Sequence, residues 1–307
     1  MKQFTSVNDI ESVEEMVSIA SACKANPIQQ TGKNKTLGLV FFNPSLRTRL
    51  STQKAAFNLG MNVIVMNVGE GWNIEFEDGA IMNGNSQEHI KDAVRIMSSY
   101  CDIIGVRTFP GLKNAEEDYS EPVLNAFLEY SDKPVVSLES ATLHPLQSLA
   151  DMLTIHELGI ERPKVVLSWA PHPRALPHAV SNSFLEWVSK TNADITIAHP
   201  KGYELSPTYT KDIEVINNQE EAFSGADIIY CKNWSSFSDY GAKPQVEKDW
   251  TVDSSKMALT NNGKFMHCMP IRRNVIATDE VIDSSIIYQQ AANRVWSAQA
   301  VLKQMLS

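Results

Sequence analysis

The chain has 307 residues, 43% of them hydrophobic and 21% charged, and a formal net charge of −9 at pH 7. This is the composition of a soluble globular protein with room for two domains, each with its own core, and it excludes a largely disordered chain. The acidic balance, with no concentrated basic face, excludes a general nucleic-acid binder; no apolar run reaches the length of a signal-peptide core or a membrane helix, so a cytoplasmic protein is expected.

After a polar amino-terminal segment, short apolar runs alternate with helical stretches. Residues 37–42, 63–66, 103–106, 135–138, 165–169, 195–198, 228–231, 265–267 and 286–288 read as strands. Most lack strict alternation, as strands do when both faces of a parallel sheet are covered by helices. The expected class is α/β, with two doubly wound parallel-sheet domains joined by helices. A helix over 149–158, closed by Gly159 and Pro163, is the candidate bridge, and 292–306 carries Val295, Ala298, Leu302 and Met305 on one helical stripe.

The first strong strand runs into Asn43-Pro44-Ser45-Leu46-Arg47-Thr48-Arg49 and then a helix that Gly60 should end. Leu50, Ala56 and Phe57 are expected on its buried face, and Ser45 as its N-cap. Two arginines in a first helical turn oppose the dipole unless an anion sits there, so the turn reads as a phosphate site; the plainer alternative is a solvated basic turn.

Ligands of open parallel sheets lie beyond the carboxyl ends of the strands. That filter selects residues 45–49, Arg107, Glu139 with His144, His172, Lys232, and Cys268 with Arg272. Some have a structural alternative, an ion pair for Arg107 and a helix cap for His144 with Gln147; Trp72, in the exposed loop Gly69-Glu70-Gly71-Trp72-Asn73, has packing onto a neighbour as its alternative. Cys268 has no arguable base, since His267 would face the other side of an extended strand, so backbone contacts are expected at that turn. The other three cysteines, Cys23, Cys101 and Cys231, read as buried apolar residues. The seven histidines and four cysteines show no metal-ligand spacing, and no glycine-rich nucleotide loop occurs. No metal and no cofactor are expected.

Three of these turns together resemble the transcarbamylase family: Ser45-Leu46-Arg47-Thr48-Arg49, His144-Pro145-Leu146-Gln147 and His267-Cys268-Met269-Pro270, in family order. The chain is most similar to the branch acting on N-acylated ornithine, through Ser51-Thr52-Gln53-Lys54-Ala55-Ala56, Trp169-Ala170-Pro171-His172-Pro173-Arg174, Lys232-Asn233-Trp234 and Asn293-Arg294. The resemblance implies a carbamoyl-phosphate-binding domain over 1–147, completed by a terminal helix 290–307, and an acylornithine-binding domain over 148–289. It further implies a homotrimer with shared active sites, and a deep knot near residues 171–177.

By the same likeness, Ser45, Leu46, Arg47, Thr48, Arg107, His144, Pro145, Leu146, Gln147, Cys268, Met269 and Arg294 bind carbamoyl phosphate, with Trp72 contributed by a neighbouring subunit. Thr48, Arg107 and His144 carry the catalysis. Glu139, His172, Lys232, Arg272 and Gln87 contact the acylornithine. Ornithine transcarbamylases hold the free α-ammonium with an Asp and a Ser-Met-Gly loop. This chain instead reads Cys231-Lys232-Asn233-Trp234-Ser235-Ser236, and a lysine there suits a carboxylate.

Acetyl-specific relatives resemble one another in a Glu at the place of Gln87, and succinyl-specific ones in a Pro. Neutral Gln lacks the repulsion a glutamate would exert on a succinyl carboxylate, so N-succinyl-L-ornithine is the expected acceptor, in arginine biosynthesis, with N-acetyl-L-ornithine the alternative. A non-catalytic anion-binding protein on the same scaffold, and a dinucleotide oxidoreductase, are the readings from other classes.

Overall fold

The computed structural model describes residues 1–243 and 248–307. The chain forms two compact units, one of Met1–Pro110, Glu116–Leu146 and Arg294–Ser307, the other of Gly111–Ala115 and Gln147–Asn293.

In the first unit the main strands are β1 (Gln3–Phe4), β2 (Thr36–Phe41), β3 (Asn62–Asn67), β6 (Ile103–Arg107) and β7 (Val135–Glu139), and a two-stranded ladder is formed by β4 (Ile74–Glu75) and β5 (Glu88–His89). The five-stranded sheet has the order β1-β7-β6-β2-β3 with every pairing parallel. All of β6 and β7 and nearly all of β2 are buried, which explains why they read as unbroken apolar runs. Helix α1 (Val13–Ala25) buries Val13, Met16, Val17, Ala20 and Cys23 at helical spacing, and Ser12 caps it by accepting from the backbone of Glu15. The segment read as merely polar thus supplies an edge strand and a core helix.

Helix α2 (Arg47–Asn58) departs from expectation at its start and on its face. Its N-cap is Leu46, itself helical in φ and ψ and making no side-chain cap bond, so Ser45 is not the cap. The buried face is Thr48, Ser51, Thr52, Ala55 and Ala56, while Leu50 and Phe57 are exposed. Small residues let the helix lie close on the sheet; the larger apolar ones point away. Gly60, at φ +81°, ends the helix as the sequence predicts. Helices α3 (Ile90–Tyr100) and α4 (Pro122–Tyr130) cover the sheet, with Ile90, Val94, Met97, Leu124 and Phe127 in one core cluster with Val40, Ile104 and Val106.

The second unit repeats the plan. Strands β8 (Lys164–Trp169), β9 (Asp194–Ala198), β10 (Glu214–Ile216), β11 (Ile228–Lys232) and β12 (Lys264–Met266) form a parallel sheet ordered β10-β9-β8-β11-β12. Helix α5 (Pro145–His156) precedes β8, and α6 (Ala179–Val188) is buried nearly all round, with Phe184 edge-on against the fully buried Tyr230. The run 286–288 is not a strand. Ile286 is a bend, and residues 287 and 288 open α7 (Ile287–Leu306), because the Gln- and Ala-rich residues that follow favour helix.

Candidate active site

In the first sheet the chain order reverses between β2 and β6: β2 is followed by β3 on one side and β6 by β7 on the other. The carboxyl ends of β2 and β6 therefore flank the crevice where an open sheet binds its ligand. Arg107 closes β6, where the pairing with β7 shifts register and brings Arg107 opposite Glu139. Its Nη2 donates to Glu139 Oε2 at 2.9 Å and its Nη1 to the carbonyls of Asn43 and Pro44 at 3.1 and 3.0 Å. The guanidinium also lies over the Phe109 ring, 4.1 Å from its centroid. Arg107 is thus fixed to the loop after β2 by carbonyls and to β7 by a buried carboxylate.

His144 Nε2 lies 3.7 Å from the same Glu139 oxygen. Arg294, on α7, donates from Nη1 to His144 Nε2 and from Nη2 to Thr48 Oγ1, each at 3.0 Å. A guanidinium has no acceptor, so Nε2 of His144 accepts and its proton resides on Nδ1. Thr48, His144, Glu139, Arg107 and Arg294, all buried, form one chain of contacts.

The two arginines of the first α2 turn have different fates. Arg49 donates to Asn67 Oδ1 at 2.6 Å and stacks on Phe41 at 4.4 Å, which accounts for it structurally. Arg47 is half-buried and makes no hydrogen bond or ion pair with the described residues. Counting Arg47, Arg107 and Arg294 against Glu139 leaves an excess of positive charge, as an anion site needs.

Trp72 is not the coreless side chain expected of an exposed loop: it is half-buried, packs on the core cluster of this unit, and donates from Nε1 to Glu88 Oε2 at 3.0 Å. The small β4–β5 ladder folds its loop back and makes this possible. Gln87 is exposed; its Oε1 accepts from the backbone of Asn73 at 2.6 Å, which occupies the amide oxygen and leaves the NH₂ as the group offered outward.

The second sheet reverses between β8 and β11, so its crevice residues are those after Trp169 and at Lys232. Arg272 Nε donates to His172 Nε2 at 2.9 Å, and His172 Nδ1 meets the Arg174 carbonyl at 3.0 Å. Burial, with the charges of Lys232, Arg272 and Arg174 adding to it, holds the His172 pKa below its ordinary value. A neutral imidazole accepting from Arg272 is consistent with both facts. Gln147 Nε2 donates to the buried Asp151 at 2.8 Å, Gln290 donates to the same oxygen at 2.7 Å, and Gln290 accepts the backbone N–H of His267 at 3.0 Å.

His267 is buried, and burial, then the Lys232 charge, pushes its pKa down to about 3. It can serve as neither base nor cation near neutral pH. Cys268 is also buried, beside Tyr230, whose phenol burial raises well above the usual range. Cys231 is pushed up to about 12 and is inert as a thiolate. Among the described residues no group of three or more His, Cys, Asp or Glu could hold a metal ion, and no helix is long and apolar enough to cross a membrane.

Family models cover most of this framework. One described as aspartate/ornithine carbamoyltransferase, carbamoyl-P binding domain, matches residues 2–157, and one described as the Asp/Orn binding domain of the same proteins matches residues 177–305. The chain belongs to the aspartate/ornithine carbamoyltransferase family. It is 50% identical over 314 residues to the N-succinylornithine carbamoyltransferase of Bacteroides fragilis (strain 638R), covering 100% of this chain and 99% of that one. To the N-acetylornithine carbamoyltransferase of Xanthomonas axonopodis pv. citri (strain 306) it is 36% identical over 334 residues, covering 100% and 97%. An acetylornithine transcarbamylase complexed with acetylcitrulline superposes with a TM-score of 0.94 at 35% identity over 100% of both chains. A single-substitution mutant of N-acetyl-L-ornithine transcarbamylase, complexed with carbamyl phosphate and N-succinyl-L-norvaline, superposes at 0.93 with 35% identity, covering 99% of this chain and 100% of that one.

Two supports of this carbamoyltransferase escape sequence reading. Asp151 lies one helical turn after Gln147, a spacing at which Gln and Asp side chains meet, so it was in reach. Phe109 gives no such signal, since nothing in Thr108-Phe109-Pro110 indicates that the ring lies under Arg107.

Proposed function

We propose that the protein transfers the carbamoyl group of carbamoyl phosphate to the δ-amine of N-succinyl-L-ornithine, giving N-succinyl-L-citrulline and phosphate, within arginine biosynthesis. The observation that carries the donor half is the convergence of Thr48, Arg107, His144 and Arg294 beside the unpaired Arg47. The neutral amine attacks the carbamoyl carbon, and a C–N bond forms as the C–O bond to phosphate breaks. Thr48, Arg107 and His144 donate hydrogen bonds to the carbamoyl oxygen as charge develops on it. Arg47 and Arg294, with Ser45 and Leu46 at the start of α2, hold the departing phosphate, which takes the amine proton. Pro145, Leu146, Gln147, Cys268 and Met269 complete donor binding.

For the acceptor, Lys232 and Arg272 around the neutral His172 suit carboxylates and offer no acid for an α-ammonium. The outward NH₂ of Gln87 suits the second carboxylate of a succinyl group, and the Bacteroides relative supports the same choice. Glu139 supports the acceptor side while holding Arg107. A homotrimer, with Trp72 serving a neighbour's site, a cytoplasmic location and a knot near residues 171–177 belong to the same proposal. The test is Gln87→Glu, which should shift the ratio of kcat/KM toward N-acetyl-L-ornithine by about tenfold through repulsion of the succinyl carboxylate. An unchanged ratio would remove Gln87 as the selector.

A further inference from the structure

Glu121 is an unusual residue for its place. It precedes Pro122 at the start of α4 with φ 50° and ψ 48°, a left-handed conformation sparsely populated by residues other than glycine and asparagine. A helix N-cap favours short side chains that bond their own helix, yet this one makes no side-chain bond to α4. Its carboxylate instead reaches across to residues about twenty positions on. It accepts from Ser140 Oγ at 2.6 Å, Ala141 N at 3.1 Å, Thr142 N at 2.7 Å and Thr142 Oγ1 at 2.6 Å.

The segment so held, residues 140–143, is the whole connection between Glu139 and His144. It is also closed on itself, with Ser140 N donating to the Leu143 carbonyl at 2.8 Å and Leu143 N to Ser140 Oγ at 3.2 Å. Consecutive backbone N–H groups at a turn make an anion nest, and here the protein fills its nest with its own carboxylate. The strained backbone of Glu121 is the conformation from which the side chain makes four bonds. Such outliers persist where the surroundings over-determine them.

We propose that Glu121 is a positioning residue for carbamoyl transfer: by clamping residues 140–143 it sets where the His144 imidazole stands relative to the Glu139 carboxylate, 3.7 Å away, and hence to Arg107 and Arg294. The proposal rests on the roles given above to His144 and Arg107. It assigns Glu121 no contact with either substrate.

The variants Glu121→Gln and Thr142→Val test it. Gln keeps the length but turns an NH₂ toward donors, while Val removes one of the four bonds. Folded Glu121→Gln should lose kcat by about tenfold to a hundredfold, as misplaced catalytic groups do, with KM for carbamoyl phosphate within about threefold of wild type. Thr142→Val should fall the same way by less. In ¹⁵N spectra of labelled histidine, the His144 signal should lose its single Nδ1–H tautomer in Glu121→Gln. His144→Asn is the control. If it is inactive while Glu121→Gln, or Thr142→Val should the former not fold, keeps full kcat and an unaltered tautomer signal, the positioning role is wrong. If His144→Asn turns over like wild type, the reading of the site fails and the proposal with it.

Discussion

Arg47 and Arg49 stand two residues apart in one helical turn, yet only one of them is accounted for by the fold. Stacking on Phe41 and bonding Asn67 fix Arg49, whereas Arg47 sits against the positive end of α2 with no partner among the described residues. Removing it should relieve an unfavourable dipole interaction of about 0.3–1 kcal/mol and remove a charge-assisted bond to phosphate worth about 1.5–3 kcal/mol. Arg47→Gln is therefore expected to melt at or above the wild-type temperature without ligand and to raise KM for carbamoyl phosphate tenfold or more. A destabilised variant with normal KM would reverse that assignment. The sequence could place both arginines at a strand end but could not divide them, because the partners of Arg49 come from neighbouring strands. The same limit hid Glu121, whose partners lie about twenty residues away, while Arg107, Glu139 and His144 could be singled out because each lies at, or in the turn after, the end of a buried strand.

At the scale of elements, the buried parallel strands were readable because their apolar runs have no alternation to confuse them. Two short edge strands were not: β1 has two residues, and β10 (Glu214–Ile216) is mostly exposed and has no apolar run. Periodicity also misassigned the face of α2, since it counts large apolar residues inward, and here Leu46, Leu50 and Phe57 are 64%, 58% and 57% exposed. An apolar stripe on an outer helix face fits the proposed subunit contact. Leu50→Glu with Phe57→Glu should leave the circular dichroism of the subunit unchanged and convert the proposed trimer to smaller species in sedimentation velocity. An unaltered trimer would place the interface elsewhere.

Across the whole molecule, three histidines of the second unit, His172, His178 and His267, have pKa values held below the ordinary one, mainly by burial. Each binds its proton more readily when the chain unfolds. Stability is therefore full above the unfolded histidine pKa of about 6.5 and falls as pH drops below it, down to the folded value, which for His267 is about 3. His267 alone should contribute a few kcal/mol over that window. Urea unfolding between pH 7 and 4 should show this loss, and His267→Gln, though less stable at pH 7, should show a shallower slope. An identical slope in the variant would exclude His267 as its source.

The division between the two sheets, with arginines and hydrogen-bond donors at the first switch point and Lys232 and Arg272 at the second, makes the acceptor the central question. Steady-state kcat/KM of the purified protein with carbamoyl phosphate and each of N-succinyl-L-ornithine, N-acetyl-L-ornithine and ornithine answers it directly. The expected order is succinyl above acetyl, with free ornithine lowest because Lys232 and Arg272 offer its α-ammonium no acidic partner. Fastest turnover of free ornithine, or of the acetyl compound over the succinyl one, would contradict the account.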